Sequence, residues 1–328
     1  MLAAALDAML ARLLCAAAGS LAAGCTVWGA AVLCRRGWPA LAQQRTLWLL
    51  GQVAVAAVFV ALLLPHTARL RVAPVIEISE PAAPQAAVPS APAAPRPAPA
   101  TKPVPAAARP QAWLFLAARA WLVVYLLGLG HALLRQRRGR RLLAALAAGG
   151  EPLTAHATHA GFTTYPAATL PTVIEVDAPI SPMLHGLFTP RLLLPRHLRA
   201  FDPLQQQLIV EHELTHWRRR DLRWSAAALA LQTLFWFNPF MRMLGARLGW
   251  AQEFGCDRDV LRGRAQGERK AYAAALVAQL KLQGRSSGMA LAFAAAPTLA
   301  ARIDLIRSPT PVHGAWPRWA AFTGVTVA

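Results

Sequence analysis

The sequence predicts a mainly helical α+β membrane protein, in which a cytoplasmic domain is inserted after three transmembrane helices. Three observations predict it. Apolar runs long enough to cross a bilayer stand at 13–33, 47–64 and 113–134. Arginines crowd the flanks of those runs. From 135 to 311 the composition returns to that of a globular block, with helical and strand-like segments mixed.

The first two runs are uncharged, and the third carries Arg119 and His131. The first is too long, and too closely followed by the second, to be read as a cleaved leader. Arg35, Arg36 and Arg45 lie between the first two runs, and Arg135, Arg137, Arg138, Arg140 and Arg141 follow the third. Arginine in short loops favours the cytoplasmic side, so both clusters agree on an outside N-terminus and a cytoplasmic block after residue 135. In a bacterial-type cell this is the inner membrane. The segment 65–112 is rich in Pro and Ala and poor in charge, which predicts an extended extracytoplasmic tether without a core. A last apolar stretch, 312–328, reads as the start of a fourth transmembrane helix.

Composition narrows the function. Hydrophobic residues make up 56% of the chain and the net charge is +19. The basic excess sits beside apolar runs, with no aromatic-interleaved stripe and no zinc-finger spacing. This assigns it to an anionic lipid surface and not to direct contact with nucleic acid. No symmetric repeat points to a transporter. The four cysteines show no paired spacing, and Cys256 reads as a buried thiol.

Within the block, 172–176 (TVIEV) and 191–194 read as strands, with Gly186 in a turn between them. The first of these is the expected exposed edge for a substrate backbone. Segment 143–148 reads as a helix. A further helix is expected over 204–220, with Asp202 as N-cap and Pro203 in the first turn. The run 224–237 is apolar but short, as for a core helix or one pressed against the membrane, and Asn238-Pro239 breaks it. Helices follow at 240–261 and 271–282. The Pro-containing segment 301–311 is expected to be flexible and therefore suited to self-cleavage.

The chemistry concentrates at His212-Glu213-Leu214-Thr215-His216. On a helix, residues i and i+4 share a face, so both imidazoles can ligate one Zn2+ with Glu213 beside them as base. Glu253 lies on a later helix and is the expected third ligand, leaving a fourth position for water. Asp257, one turn on, is placed to hold a ligand histidine by its other ring nitrogen. Six of the 15 acidic residues (Glu211, Glu213, Asp221, Glu253, Asp257 and Asp259) fall on these two helices or next to them. Glu211 and Asp221 are expected to pair with Arg218 to Arg220. His156, His159, His185 and His197 are read as structural or surface residues. The implied reaction is peptide hydrolysis: zinc acidifies water and polarises the scissile carbonyl, and Glu213 carries the proton to the leaving amine.

Four ordered blocks resemble the BlaR/MecR-type membrane metallopeptidases. They are SPMLHGLFTPRLLLP (181–195), HELTHWRRRD (212–221), FWFNPF (235–240) and EFGCDRDVL (253–261). The resemblance implies a gluzincin-like HExxH domain facing the cytoplasm between the third and fourth membrane helices. In it His212, His216 and Glu253 would be the ligands and Glu213 the base. Antirepressor members of that family sense an extracytoplasmic signal and trigger cleavage of a winged-helix transcriptional repressor. The β-lactam sensors among them carry a penicillin-binding domain; no Ser-x-x-Lys acylation motif occurs in these 328 residues. Two alternatives stand beside a signalling protease that cleaves a repressor or itself: a membrane quality-control metalloprotease, and a non-enzymatic, metal-stabilised sensor or scaffold.

Overall fold

The computed structural model describes residues 2–64, 111–154, 156–287 and 299–307. The expected tether, apart from its last two residues, and the expected start of a fourth helix lie outside the described residues. Helix α1 (Leu2–Gly37) is followed by the short α2 (Pro39–Ala42), then by α3 (Arg45–Leu63) and α4 (Gln111–Ala148). Three helices are long and apolar enough to cross a membrane, over Leu6–Gly37, Arg45–Leu63 and Trp113–Ala148. Arg119, in the second turn of the third, is not stranded: it pairs with Asp7 of α1 at 2.6 Å.

Residues 143–148 are not a separate helix. They are the last turns of α4, which runs unbroken for 38 residues. At 1.5 Å per residue that is roughly 57 Å, nearly twice the ~30 Å hydrocarbon thickness of a bilayer. The arginines after Leu134 are good helix formers and extend the helix instead of ending it.

The apolar run 224–237 forms α6 (Asp221–Leu234) and the turn after it. α6 packs against α3, α4 and α7 (Pro239–Val260) and leaves Leu229 and Leu234 exposed. Its aromatic end docks on the membrane helices. Phe235 meets Phe59 of α3, and Phe237 meets Trp121 of α4, both edge to face. Trp236 donates to the Tyr125 carbonyl at 3.2 Å. The Trp236 indole occupies the space a Cβ on Gly128 would need, so only glycine allows this approach. At the start of α7, Asn238 caps the helix by accepting from the Phe240 N–H, and it donates to the Ser20 carbonyl of α1 at 2.9 Å.

A four-stranded sheet follows α4. Its strands are β1 (Glu151–Pro152), β2 (Thr172–Val176), β3 (Met183–His185) and β4 (Arg191–Pro195), in the order β1-β2-β4-β3. β2 and β4 run parallel, with Ile174 opposite Leu193, and four of the five residues of each strand are buried. β2 is therefore internal, and the expectation that it offers a free edge is corrected. Among the described residues the edges are β1 and β3, and β3, the one beside the cavity, pairs with β4, antiparallel. Gly186 ends β3 with φ +94°, a left-handed conformation that turns the chain into the loop before β4.

Helix α5 (Pro203–Arg218) lies on this sheet, its N-terminus capped by Asp202 accepting from the Leu204 N–H at 2.9 Å. Ile209, Val210 and Leu214 of α5 pack with Val173, Leu192 and Leu194 of the sheet and with Ala275 of α8 (Gln266–Ser287). Residues 299–307 are helical, and Ile306 is buried against Leu208, Val260, Leu261 and Tyr272. The first part of the segment expected to be flexible is thus built into the core; 308–311 lie outside the described residues.

Candidate metal centre

The 3.6-residue turn of α5 sets His212 and His216 on one face, with Nε2 atoms 3.1 Å apart. Glu253 comes from α7, with Oε2 3.4 Å from His212 Nε2 and Oε1 3.3 Å from His216 Nε2. Tetrahedral zinc with bonds of about 2.0–2.1 Å holds neighbouring ligand atoms roughly 3.3–3.4 Å apart. Two imidazoles and a carboxylate at these separations fit the ion, and they leave a fourth position facing the cavity.

Each imidazole is held from behind by a buried carboxylate. His212 Nδ1 lies 2.8 Å from the Tyr272 hydroxyl and 3.3 Å from Asp257 Oδ1. The Tyr272 hydroxyl donates to Asp257 Oδ1 at 2.7 Å. Burial pushes the Tyr272 pKa well up, so its single proton stays on oxygen and goes to Asp257. The oxygen then accepts from His212 Nδ1–H, which turns Nε2 toward His216 and Glu253. Asp257 is fully buried and bound by Arg302 through two hydrogen bonds of 2.7 Å. Burial would raise its pKa, but His212 and Arg302 outweigh this and hold it at about 2. Arg302 also reaches Glu253 Oε2 at 2.9 Å. Burial opposes ionisation of Glu253 too, yet hydrogen bonds from the two histidines keep its pKa well below the usual range. In the same metal-free arrangement burial lowers the His212 pKa, and the hydrogen bonds to Asp257 and Glu253 overcome it and raise it to about 10.

His216 Nδ1 lies 2.8 Å from Asp221 Oδ2. Asp221 returns to the site only five residues later because Arg220 adopts a left-handed conformation, φ 56°, between α5 and α6. Its Oδ1 accepts from Arg45, at the start of α3. The Cys256 thiol lies 3.5 Å from Asp221 Oδ2 and 3.3 Å from His216 Nδ1. His216, Asp221 and Cys256 also form a metal-like cluster. Burial raises the Cys256 pKa, and Cys256 and Asp221 lie on the Nδ1 side of His216, whereas its Nε2 faces Glu253.

Glu213 lines the same cavity, and burial, opposed by the neighbouring histidines, raises its carboxyl pKa. The cavity is about 350 Å³. Ser181 to Leu184 line one side; Ile209, Leu276 and Gln279 form another part of the wall.

The structure brings together all five residues singled out in the sequence: His212, Glu213, His216, Glu253 and Asp257. Asp221 pairs with Arg219 at 3.5 Å, as expected, and its carboxylate also serves His216 and Arg45, which the sequence did not indicate. Glu211 pairs with Arg264, and Asp259 with Arg219 and Arg262. His159 is buried and accepts from the Gly161 N–H at 3.0 Å, a structural role, and His197 packs on Phe201. Tyr272, Arg302 and Arg45 carried no signal of their own in the sequence.

The sequence model described as BlaR1 peptidase M56 matches residues 12–307. The chain is 29% identical over 82 residues to the regulatory protein BlaR1 of Bacillus licheniformis. It is also 29% identical over 83 residues to the methicillin resistance mecR1 proteins of Staphylococcus aureus and Staphylococcus epidermidis. Each alignment covers 25% of this chain and 14% of the relative.

Proposed function

The chain belongs to the BlaR1 peptidase M56 family, and from that premise we propose that it is an integral membrane zinc endopeptidase that transmits a signal by cleaving a cytoplasmic protein. The observation that carries this reading is the convergence of His212, His216 and Glu253, with Glu213 opening on the same cavity.

In this reading His212, His216 and Glu253 hold the ion, and Asp257 and Asp221 fix the two imidazoles. Zinc supplies a Lewis acid that acidifies water and polarises a carbonyl. Glu213 takes the proton of the attacking water and returns it to the leaving amine. Its pKa, raised by burial toward the working pH, suits both halves of that transfer. The substrate backbone adds to the outer side of β3, an edge strand among the described residues that lies beside the cavity. Ile209, Met183 and Leu276 offer an apolar wall to one substrate side chain.

Three helices long and apolar enough to cross a membrane support a membrane location, and the arginines at the end of α1, the start of α3 and the end of α4 favour the cytoplasmic side for the peptidase domain. The substrate class that fits is a cytoplasmic protein with a segment able to extend along β3. A winged-helix repressor is the family-based candidate, and the chain itself is a second.

The test compares new protein N-termini in cells carrying the wild type or Glu213→Ala, at matched membrane levels and with zinc content measured on the purified chains. The expected result is retained zinc and the loss of one or a few cytoplasmic fragments. Loss of many fragments would favour quality control. Retained zinc with no fragment lost under any condition would refute the peptidase and leave a metal-stabilised sensor.

A further inference from the structure

Arg45 occupies the first position of α3, where an arginine flanking a membrane span ordinarily keeps its head in water. Arg35 and Arg36, in the last turn of α1, are exposed in that way. The Arg45 side chain is only 20% exposed. Its guanidinium donates to Asp221 Oδ1 and, at 2.8 Å, to the Arg219 carbonyl, and it lies over the Trp224 ring, 4.7 Å from the centroid. It thus spans 176 residues of sequence to reach the carboxylate that holds His216.

Asp221 needs such a partner. It is buried, and a buried carboxylate without a counter-charge takes a proton or swings toward water. The other nearby cation, Arg219, is 3.5 Å from Oδ2 and is bound to Asp259 at 2.8 Å. The Arg45 contact to Oδ1 leaves Oδ2 for His216 and for the Cys256 thiol. Gln252 Nε2 donates to the Asp221 carbonyl at 3.0 Å and is itself held through its Oε1 by Ser225. Gln252 thus holds the backbone of Asp221, and among the described residues Arg45 is the cation on Oδ1.

We propose that Arg45 is a positioning residue of the metal centre, so that the placement of the second membrane helix sets the orientation of His216. The inference rests on the zinc reading above. It adds a route by which a displacement among the membrane helices reaches the site: moving the start of α3 withdraws the guanidinium, frees Asp221 and loosens one ligand. Partners that orient a metal-bound histidine typically contribute 10–100-fold to metal affinity or activity.

The test uses the full chain, purified in detergent, with zinc affinity measured against a chromophoric chelator and the visible absorption of the Co2+-loaded protein recorded. Arg45→Ala and Asp221→Asn are each expected to weaken zinc by about 10–100-fold and to alter the Co2+ bands. The double variant should be no weaker than the weaker single one, because both changes act through one contact on His216. Arg45→Lys should recover part of the loss. Arg119→Ala, which breaks a different ion pair between membrane helices, should leave both readouts unchanged. If Arg45→Ala does not fold, Arg45→Gln carries the same comparison. Wild-type affinity and bands in folded Arg45 variants, or losses that add in the double variant, would overturn the proposal. A wild-type chain that binds neither Zn2+ nor Co2+ would instead remove the metal reading, and this inference with it.

Discussion

Replacing Tyr272 by Phe tests the scaffold behind His212 without touching a ligand. The hydroxyl bridges His212 Nδ1 at 2.8 Å and Asp257 Oδ1 at 2.7 Å. Its loss leaves Asp257 well satisfied, because both Arg302 hydrogen bonds of 2.7 Å remain. The cost falls on His212, whose Nδ1–H is left with Asp257 Oδ1 at 3.3 Å. A hydrogen bond within such a charged network is worth ~1.5–3 kcal/mol, and a small shift of Asp257 recovers part of it, so the net loss is about 1.5 kcal/mol. Since 1.4 kcal/mol is about tenfold in a binding constant, zinc should bind about tenfold more weakly. Asp257→Asn should be worse, approaching 100-fold, because it also removes the charge facing Arg302. Competition with a chromophoric chelator at fixed pH and salt measures both. Unchanged affinity in folded Tyr272→Phe would refute the hydroxyl bridge, and unchanged affinity in Asp257→Asn would refute the orienting role of the carboxylate itself.

Two further outcomes are expected. In the metal-free chain Asp257 titrates at about 2 against an ordinary 3.8, so its contribution to stability is complete above ~pH 4 and is lost as pH falls through 2. His212 is raised to about 10 from 6.5, so its contribution is complete below 6.5 and is lost as pH rises through 10. Denaturation midpoints should therefore be highest between about pH 4 and 6.5, and Asp257→Asn should flatten the acid limb; an unaltered acid limb would count against the pairing. Separately, Gly128→Leu drives a side chain into the Trp236 indole and should lower the melting temperature in detergent. Gly130→Leu, which meets open space, should not, and equal effects would contradict the helix contact.

What the sequence made legible follows from how locally each feature is encoded. His212 and His216 sit four apart on a helix that Asp202 and Pro203 announce, so their convergence needs only the helical period. Asp257 is likewise one turn beyond Glu253. The other supports come from far away. Arg45 and Arg302 are two among 34 basic residues, and Tyr272 lies in an ordinary amphipathic stretch, so only the folded chain distinguishes them. Arg219, close to Asp221 in sequence, is a partner, but the contact of Asp221 with His216 is not legible, because a single left-handed residue turns Asp221 back toward the site. The expectation of a sheet edge at TVIEV fails for a related reason. TVIEV advertises itself by β-branching, but residues buried in an internal strand do the same, and the edges among the described residues, β1 and β3, are two and three residues long with no periodicity to read.

The two arginines that neutralise the carboxylates behind the histidines stand near opposite ends of the described chain, at 45 and 302. A ribosome delivers the first long before HELTH and the second some ninety residues after it. Until residue 302 has left the exit tunnel, Asp257 would be a buried charge without its cation, an arrangement that costs several kcal/mol and does not persist. A nascent chain that stops short of residue 302 therefore carries His212, Glu213, His216 and Glu253, yet lacks one of the two cations that hold the carboxylates behind the histidines.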